Sequence, residues 1–172
     1  MARTAVQSRP ADLETMFIAN YARIARVLAR VVRDHARAEE LAVEVFLKWS
    51  AHPAAHGEGA EGWIYRTAVR MGLDELRRQA RRSRYEHLMG SITGPPATPE
   101  DVRAGNEDRE RVRAVLLDLR TREAELLLLR NQGLTYRELA MALGLTETSI
   151  GTLLSRAEEL FRREYRKRYG HR

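Results

Sequence analysis

Trp63, Tyr65, Arg66 and Arg70 lie close together in the chain, and Arg77, Arg78, Arg81, Arg82 and Arg84 follow in the same stretch. Aromatic rings can stack on unpaired bases while guanidinium groups hold the backbone, so this combination suits a single-stranded nucleic acid. A core tryptophan beside a solvated basic face explains the same residues, and residue types alone leave both readings open. A second candidate lies in "LTYRELAMALGLTETSIGTLLSRA", residues 134–157. There Ala140 offers a small contact, Gly144 a corner, and Leu139, Leu143, Leu145, Ile150 and Leu154 a clamp that would fix two helices at an angle, as a helix-turn-helix needs. Thr146 is placed to cap the second helix. Glu147, Thr148, Ser149, Thr152, Ser155 and Arg156 then line its N-terminal half, the part that enters a major groove. An ordinary helical hairpin with a glycine turn has the same spacing.

The elements that would position these residues are helical. Over residues 12–32, Leu13, Met16, Phe17, Ile24, Val27, Leu28 and Val31 recur with the spacing of one helix face, with Pro10 just outside and Asp12 as the expected cap. A second helix fits residues 36–50, burying Leu41, Val45, Phe46 and Trp49 and turning Glu39, Glu40 and Glu44 outward. "HPAAHGEGAEG" breaks the pattern with Pro53, Gly57 and Gly59. A third helix carries Trp63, Thr67 and Met71 and either continues or bends at Gly72. Residues 86–108, including "GSITGPPATPEDVRAGNED", hold too little apolar surface to offset the entropy of ordering them and read as a flexible acidic linker. Four short helices are expected beyond it, over residues 110–119, 122–131, 136–143 and 147 to the tail. The fold class is therefore all-α, with two small helical domains joined by a linker.

Composition narrows the functions. The 172-residue chain carries a formal net charge of +6, nearly all of it from arginine, which favours a polyanionic partner. With no cysteine there is neither a disulfide framework nor a thiolate metal site, and a reducing compartment is the natural expectation. No apolar run has the length of a membrane span, and "MARTAVQSRPADLE" lacks a signal-peptide core, so the expected location is cytoplasmic. His52 and His56 form a close pair without a third ligand pattern. No phosphate-binding glycine loop and no nucleophile–base signature accompany them. No metal, no cofactor, no catalytic residue and no enzymatic activity are expected.

"AEELAVEVFLKW", "WIYRTAVRMGLDELRR" and "GLTYRELAMALGLTETSIGTLLSRA" together resemble the successive segments of extracytoplasmic-function (ECF) sigma factors, in order and spacing. That resemblance implies a sigma region 2-like domain over residues 10–85, a linker over 86–108 and a sigma region 4-like helix-turn-helix domain over 109–170. It implies core RNA polymerase as partner, through the beta-prime clamp and the beta flap, with Glu39, Glu40, Leu41, Glu44 and Phe46 in the clamp-binding segment. Promoter DNA is implied both single-stranded and duplex. Trp63, Tyr65, Arg66, Arg70, Arg77 and Arg78 match the segment for the opened minus-ten element. Arg137, Thr148, Ser149, Thr152, Ser155 and Arg156 match the duplex reader of the minus-thirty-five element. The linker is implied to thread toward the polymerase active site and RNA exit, and an anti-sigma factor or another protein is implied as a further partner.

The chain departs from the family pattern at several positions. Arg70 stands where an asparagine is common, Val43 where a glutamine is, and Gly151, Leu153 and Glu158 where basic residues are. Leu153 fits either a widened buried stripe or an exposed docking residue. Fewer phosphate contacts imply a weaker duplex anchor. A second reading follows from this: a sigma-like regulator with weak promoter readout that acts with a DNA-targeting partner protein.

Overall fold

The computed structural model describes residues 13–89 and 104–170. Among the described residues there are seven α-helices, a short 3-10 turn and no strand.

The first domain is built from α1 (Leu13–Val31), α2 (His35–Ser50) and α3 (Ala60–Leu88). The expected cap of α1, Asp12, lies outside the described residues. Helix α2 begins just before the expected position because Asp34 caps it, its carboxylate accepting the Arg37 N–H at 3.1 Å. Ile24, Leu28, Phe46, Trp49, Ile64 and Leu73 are fully enclosed where the three helices meet. Helix α3 runs unbroken through Gly72, which serves close packing instead of a bend. A Cβ there would lie 3.2 Å from Leu28 Cδ2 and 3.5 Å from Val31 Cβ.

The α2–α3 connection is pinned from within. The Trp49 indole N–H donates to the Ala55 carbonyl at 3.1 Å, and His56 Nε2 donates to the Trp49 carbonyl at 2.9 Å. The 3-10 turn at Pro53–Ala55 lies inside this clasp. His56 is thus a structural histidine, and its Nε2 carries the proton because a carbonyl can only accept.

The second domain comprises α4 (Ala104–Asp118), α5 (Thr121–Asn131), α6 (Tyr136–Leu143) and α7 (Glu147–Tyr169). Helix α3 extends through Leu88 and α4 starts at Ala104, so helix covers both margins of segment 86–108. The body of that segment, residues 90–103, lies outside the described residues, and with it the expected linker character. Gly144 adopts φ 64°, ψ 44°, the left-handed conformation that ends α6 and aims α7 away from it. Thr146 is the N-cap of α7, but its hydroxyl accepts no backbone N–H. It instead accepts from the Thr148 hydroxyl at 3.3 Å, while Ser149 Oγ donates to the Thr146 carbonyl at 2.8 Å.

Helix α6 is closed at its start by a reciprocal pair. The Glu138 N–H donates to Thr135 Oγ1 at 3.2 Å, and the Thr135 N–H donates to Glu138 Oε2 at 2.6 Å. Those bonds from Thr135 hold the Glu138 carboxyl below its ordinary pKa. A depressed folded-state pKa stabilises the protein above the unfolded carboxylate value, and that contribution is lost as pH falls through the folded value. The melting midpoint of Glu138→Gln is therefore expected below wild type at neutral pH, with the gap narrowing through the acid range. A constant gap across the titration would remove the carboxylate from the cap.

The two domains pack directly on each other, α3 lying along α5 and α6. Their buried apolar residues form one contiguous cluster. At the crossing of α3 and α6, a Cβ on Gly62 would meet Ala142 Cβ at 3.4 Å. Arg113 of α4 inserts at the end of α1, its Nε donating to the Arg30 and Val31 carbonyls at 3.1 and 3.0 Å. Arg33 and Glu110 form an ion pair nearby.

Candidate nucleic-acid interface

Helix α3 presents its basic and aromatic residues in three directions. Trp63 is half-buried and lies on His52, ring centroids 5.6 Å apart and planes 19° apart, at the edge of the first domain. Arg66 and Arg70 turn toward α5. The Arg70 guanidinium pairs with Glu125, whose side chain is only 2% exposed. Burial and the neighbouring Arg70 charge pull the Arg66 pKa down. Its Nε is buried and has no hydrogen-bond partner among the described residues.

Tyr65 turns the other way, under the Arg23 guanidinium, which stands 5.3 Å from its ring centroid. The residue is 2% exposed, and burial pushes its phenol pKa up. In the packed arrangement Tyr65 therefore offers no face for stacking. Farther along α3, Arg77 reaches Asp74 at 3.4 Å and Arg78 pairs with Glu75. Arg81, Arg82 and Arg84 are exposed. The expected stretch is thus one helix but not one surface.

On α2, Arg37 gathers the acids. Its Nη1 donates to Glu40 at 2.8 Å and to Glu44 at 3.1 Å, and its Nε to Glu75 at 3.3 Å. Glu39 lies 3.4 Å from His35. Leu41 and Phe46 belong to the core; Phe46 packs edge-on against Phe17 with centroids 5.0 Å apart. The exposed apolar residues of this face are Val43 and Leu47, at 41% and 58%. Sequence reasoning did not single out Leu47, although a leucine one turn from Val43 on an outward face was a usable signal.

In the corner of α6 and α7, Ile150, Leu154, Leu139 and Leu143 are buried as a clamp should be. Thr148, Thr152, Ser155 and Arg156 are exposed and Ser149 is half-buried, so the α7 residues of the expected reading face lie together. Arg137 stands apart on α6, 3.5 Å from Glu58 and largely exposed. Leu153 is partly buried against the core, which settles it as part of the buried stripe. Glu158 is held by Arg162 at 3.1 Å. A Cβ at Gly151 would make only an ordinary 3.5 Å contact with the Tyr136 ring.

Among the described residues, no cluster of histidines and carboxylates is placed to hold a metal ion, and no helix is long and apolar enough to cross a membrane. His52 and His56 serve the aromatic stack and the clasp.

Residues 16–82 match the family model Sigma-70 region 2, and residues 109–160 match Sigma-70, region 4. No curated protein matches the chain. Among solved structures, the chain is similar to the sigma factor RpoE in its co-crystal structure with the anti-sigma factor NepR from Bartonella quintana. Identity is 18%, coverage is 89% of this chain and 96% of that one, and the TM-score is 0.53, a likeness of fold.

Proposed function

We propose, from the premise that this chain belongs to the sigma-70 family and is a sigma factor of the ECF type, that its two domains divide promoter recognition residue by residue. Membership itself gives the activity: the protein binds core RNA polymerase and promoter DNA and directs transcription initiation. In the proposed division, residues 10–85 hold the polymerase clamp and the opened minus-ten element, residues 109–170 hold the minus-thirty-five duplex, and residues 86–108 connect them. The protein carries out no covalent chemistry of its own, and it acts in the cytoplasm, beside the polymerase. An anti-sigma factor, the kind of protein that NepR is in its complex with RpoE, is the expected antagonist.

One observation carries this reading. Trp63, Arg66 and Arg70 follow each other at i, i+3 and i+7 on α3, in the domain that matches region 2, while the exposed polar start of α7 lies in the domain that matches region 4. Stacking supplies about 1–3 kcal/mol per base, the scale needed to hold extruded bases, and the duplex contact supplies register through phosphates. Glu158 is acidic and Gly151 has no side chain, so the duplex anchor is the weaker of the two. Reconstituted transcription with core polymerase, scored by sequencing the initiated RNAs, tests the division. Start sites should share a strong minus-ten and a weak minus-thirty-five preference. Equal information in both elements would remove the assignment of a dominant anchor, and a stronger minus-thirty-five preference would reverse it.

The acidic face of α2 is the proposed clamp contact. Glu40→Lys with Glu44→Lys should reduce co-purification with core polymerase by about tenfold or more, given the cost of like charges at a charged interface. Helical content should stay unchanged, because both carboxylates lie outside the buried core. Undiminished capture by the double variant would take this role away from α2.

A further inference from the structure

One cleft, which shares only Tyr65 with the minus-ten segment, is built like a binding site. Arg23, Arg26 and Arg30 of α1, Tyr65 of α3, and Asn131 and Gln132 at the end of α5 enclose about 220 Å³ at the domain junction. Each of these side chains carries an N–H or O–H donor, and none carries a carboxylate. The arginines lie at i, i+3 and i+7, so three like charges share one helix face, an arrangement that opposes itself unless an anion intervenes. Their neutralisation is sparse. Arg23 reaches Glu61 at 3.4 Å, Arg26 commits its Nε to the Ala22 carbonyl at 3.1 Å, and the Arg30 side chain makes no ion pair among the described residues.

Tyr65 supplies an independent sign. The residue lines this cleft, and its buried hydroxyl has no hydrogen-bond partner among the described residues. A buried hydroxyl without a partner is costly and calls for an explanation, an acceptor inside the cleft being the simplest. Guanidinium forks, a phenol and two amides all suit the oxygens of a phosphate group. The face of the Tyr65 ring is covered by Arg23, so the cleft offers no platform for a base, and a compact anion fits better than a nucleoside.

We propose that this cleft binds a small phosphoanion, the size of phosphate or pyrophosphate, and that the bound anion ties α1 of the first domain to the end of α5 in the second. Binding to the packed form alone weights the equilibrium toward it in proportion to occupancy. In that form Arg70 is held by Glu125, so the ligand restrains the factor in an arrangement where α3 is covered. The proposal rests on the chemistry of the cleft and not on any promoter contact.

The test is calorimetric titration of the full chain with pyrophosphate, paired with its thermal midpoint. Saturable one-site binding is expected, weakened about tenfold or more by Arg26→Ala with Arg30→Ala and severalfold by Tyr65→Phe. Asn131→Leu with Gln132→Leu should weaken it as well, and at one pyrophosphate concentration the midpoint of wild type should rise more than that of any of these cleft variants. Arg162→Ala with Arg163→Ala on α7 serves as control and should leave binding unchanged. Absence of saturable binding overturns the proposal, as does equal loss in the α7 control. A short single-stranded oligonucleotide that binds more tightly, needs the same α1 arginines and ignores Asn131 and Gln132 would assign them to a nucleic-acid backbone and overturn the bridging role.

Discussion

Arg113→Met lowers the stability of the packed protein by about 3–4 kcal/mol, the expected cost of leaving two or more buried carbonyls without their charged donor. The last carbonyls of a helix have no partner within it and carry its negative dipole end. In α1 those carbonyls face the second domain, and Arg113 answers them. Its Nε contacts the carbonyls of Arg30 and Val31, and its Nη2 those of Ala29 and Val32, both at 3.4 Å. Glu110 steadies the guanidinium through Nη1 at 2.7 Å. Methionine keeps the length and the apolar stem but offers no donor. Lysine restores charge without the fork, so Arg113→Lys should recover only part of the loss.

For a chain of this size the Arg113→Met loss corresponds to a melting midpoint lower by about 10 °C. Because the contact joins the domains, scattering should also report a larger radius of gyration at temperatures where far-ultraviolet dichroism still shows full helicity. An unchanged midpoint with an unchanged radius would mean that water replaces the guanidinium without penalty.

The contact also marks where sequence reasoning stops. Helices α1 to α3 and the α6–α7 corner were legible because their signals are local: apolar residues at helical spacing, and Gly144 at the corner between two helices. Arg113 has no such signal. Its carbonyl partners lie more than eighty residues away in the chain, and one arginine among many looks like any other. Glu125 was more readable in principle, since an acid in "EAELLLLR" interrupts a buried run and must find a cation.

Gly72 shows a different limit. Periodicity could not separate a bend from a close approach, and only the position of Leu28 decides it. The candidate site was legible as a set of residue types but not as a surface. Trp63, Tyr65 and Arg70 are near neighbours in sequence, yet α3 turns them toward His52, α1 and α5 respectively.

That divergence sets up the second large effect. In the holoenzyme, Trp63→Ala and Arg70→Ala are each expected to slow opening of duplex promoter by about 10- to 100-fold, the loss of one stacked or held base. On a template already melted across the minus-ten element, both should initiate nearly as wild type. Glu125→Gln should behave oppositely. Glu125 is buried and pairs with Arg70, so neutralising it releases the guanidinium and weakens the seam between α3 and α5. The free factor should then bind a single-stranded minus-ten oligonucleotide more tightly than wild type. Promoter opening by the holoenzyme should not change, since domains bound at two separate promoter elements no longer share that seam. The three variants together separate a DNA contact from a fold contact. If Trp63→Ala and Arg70→Ala both open duplex normally, Trp63 is the stacking partner of His52 and nothing more, and Arg70 serves only to neutralise Glu125.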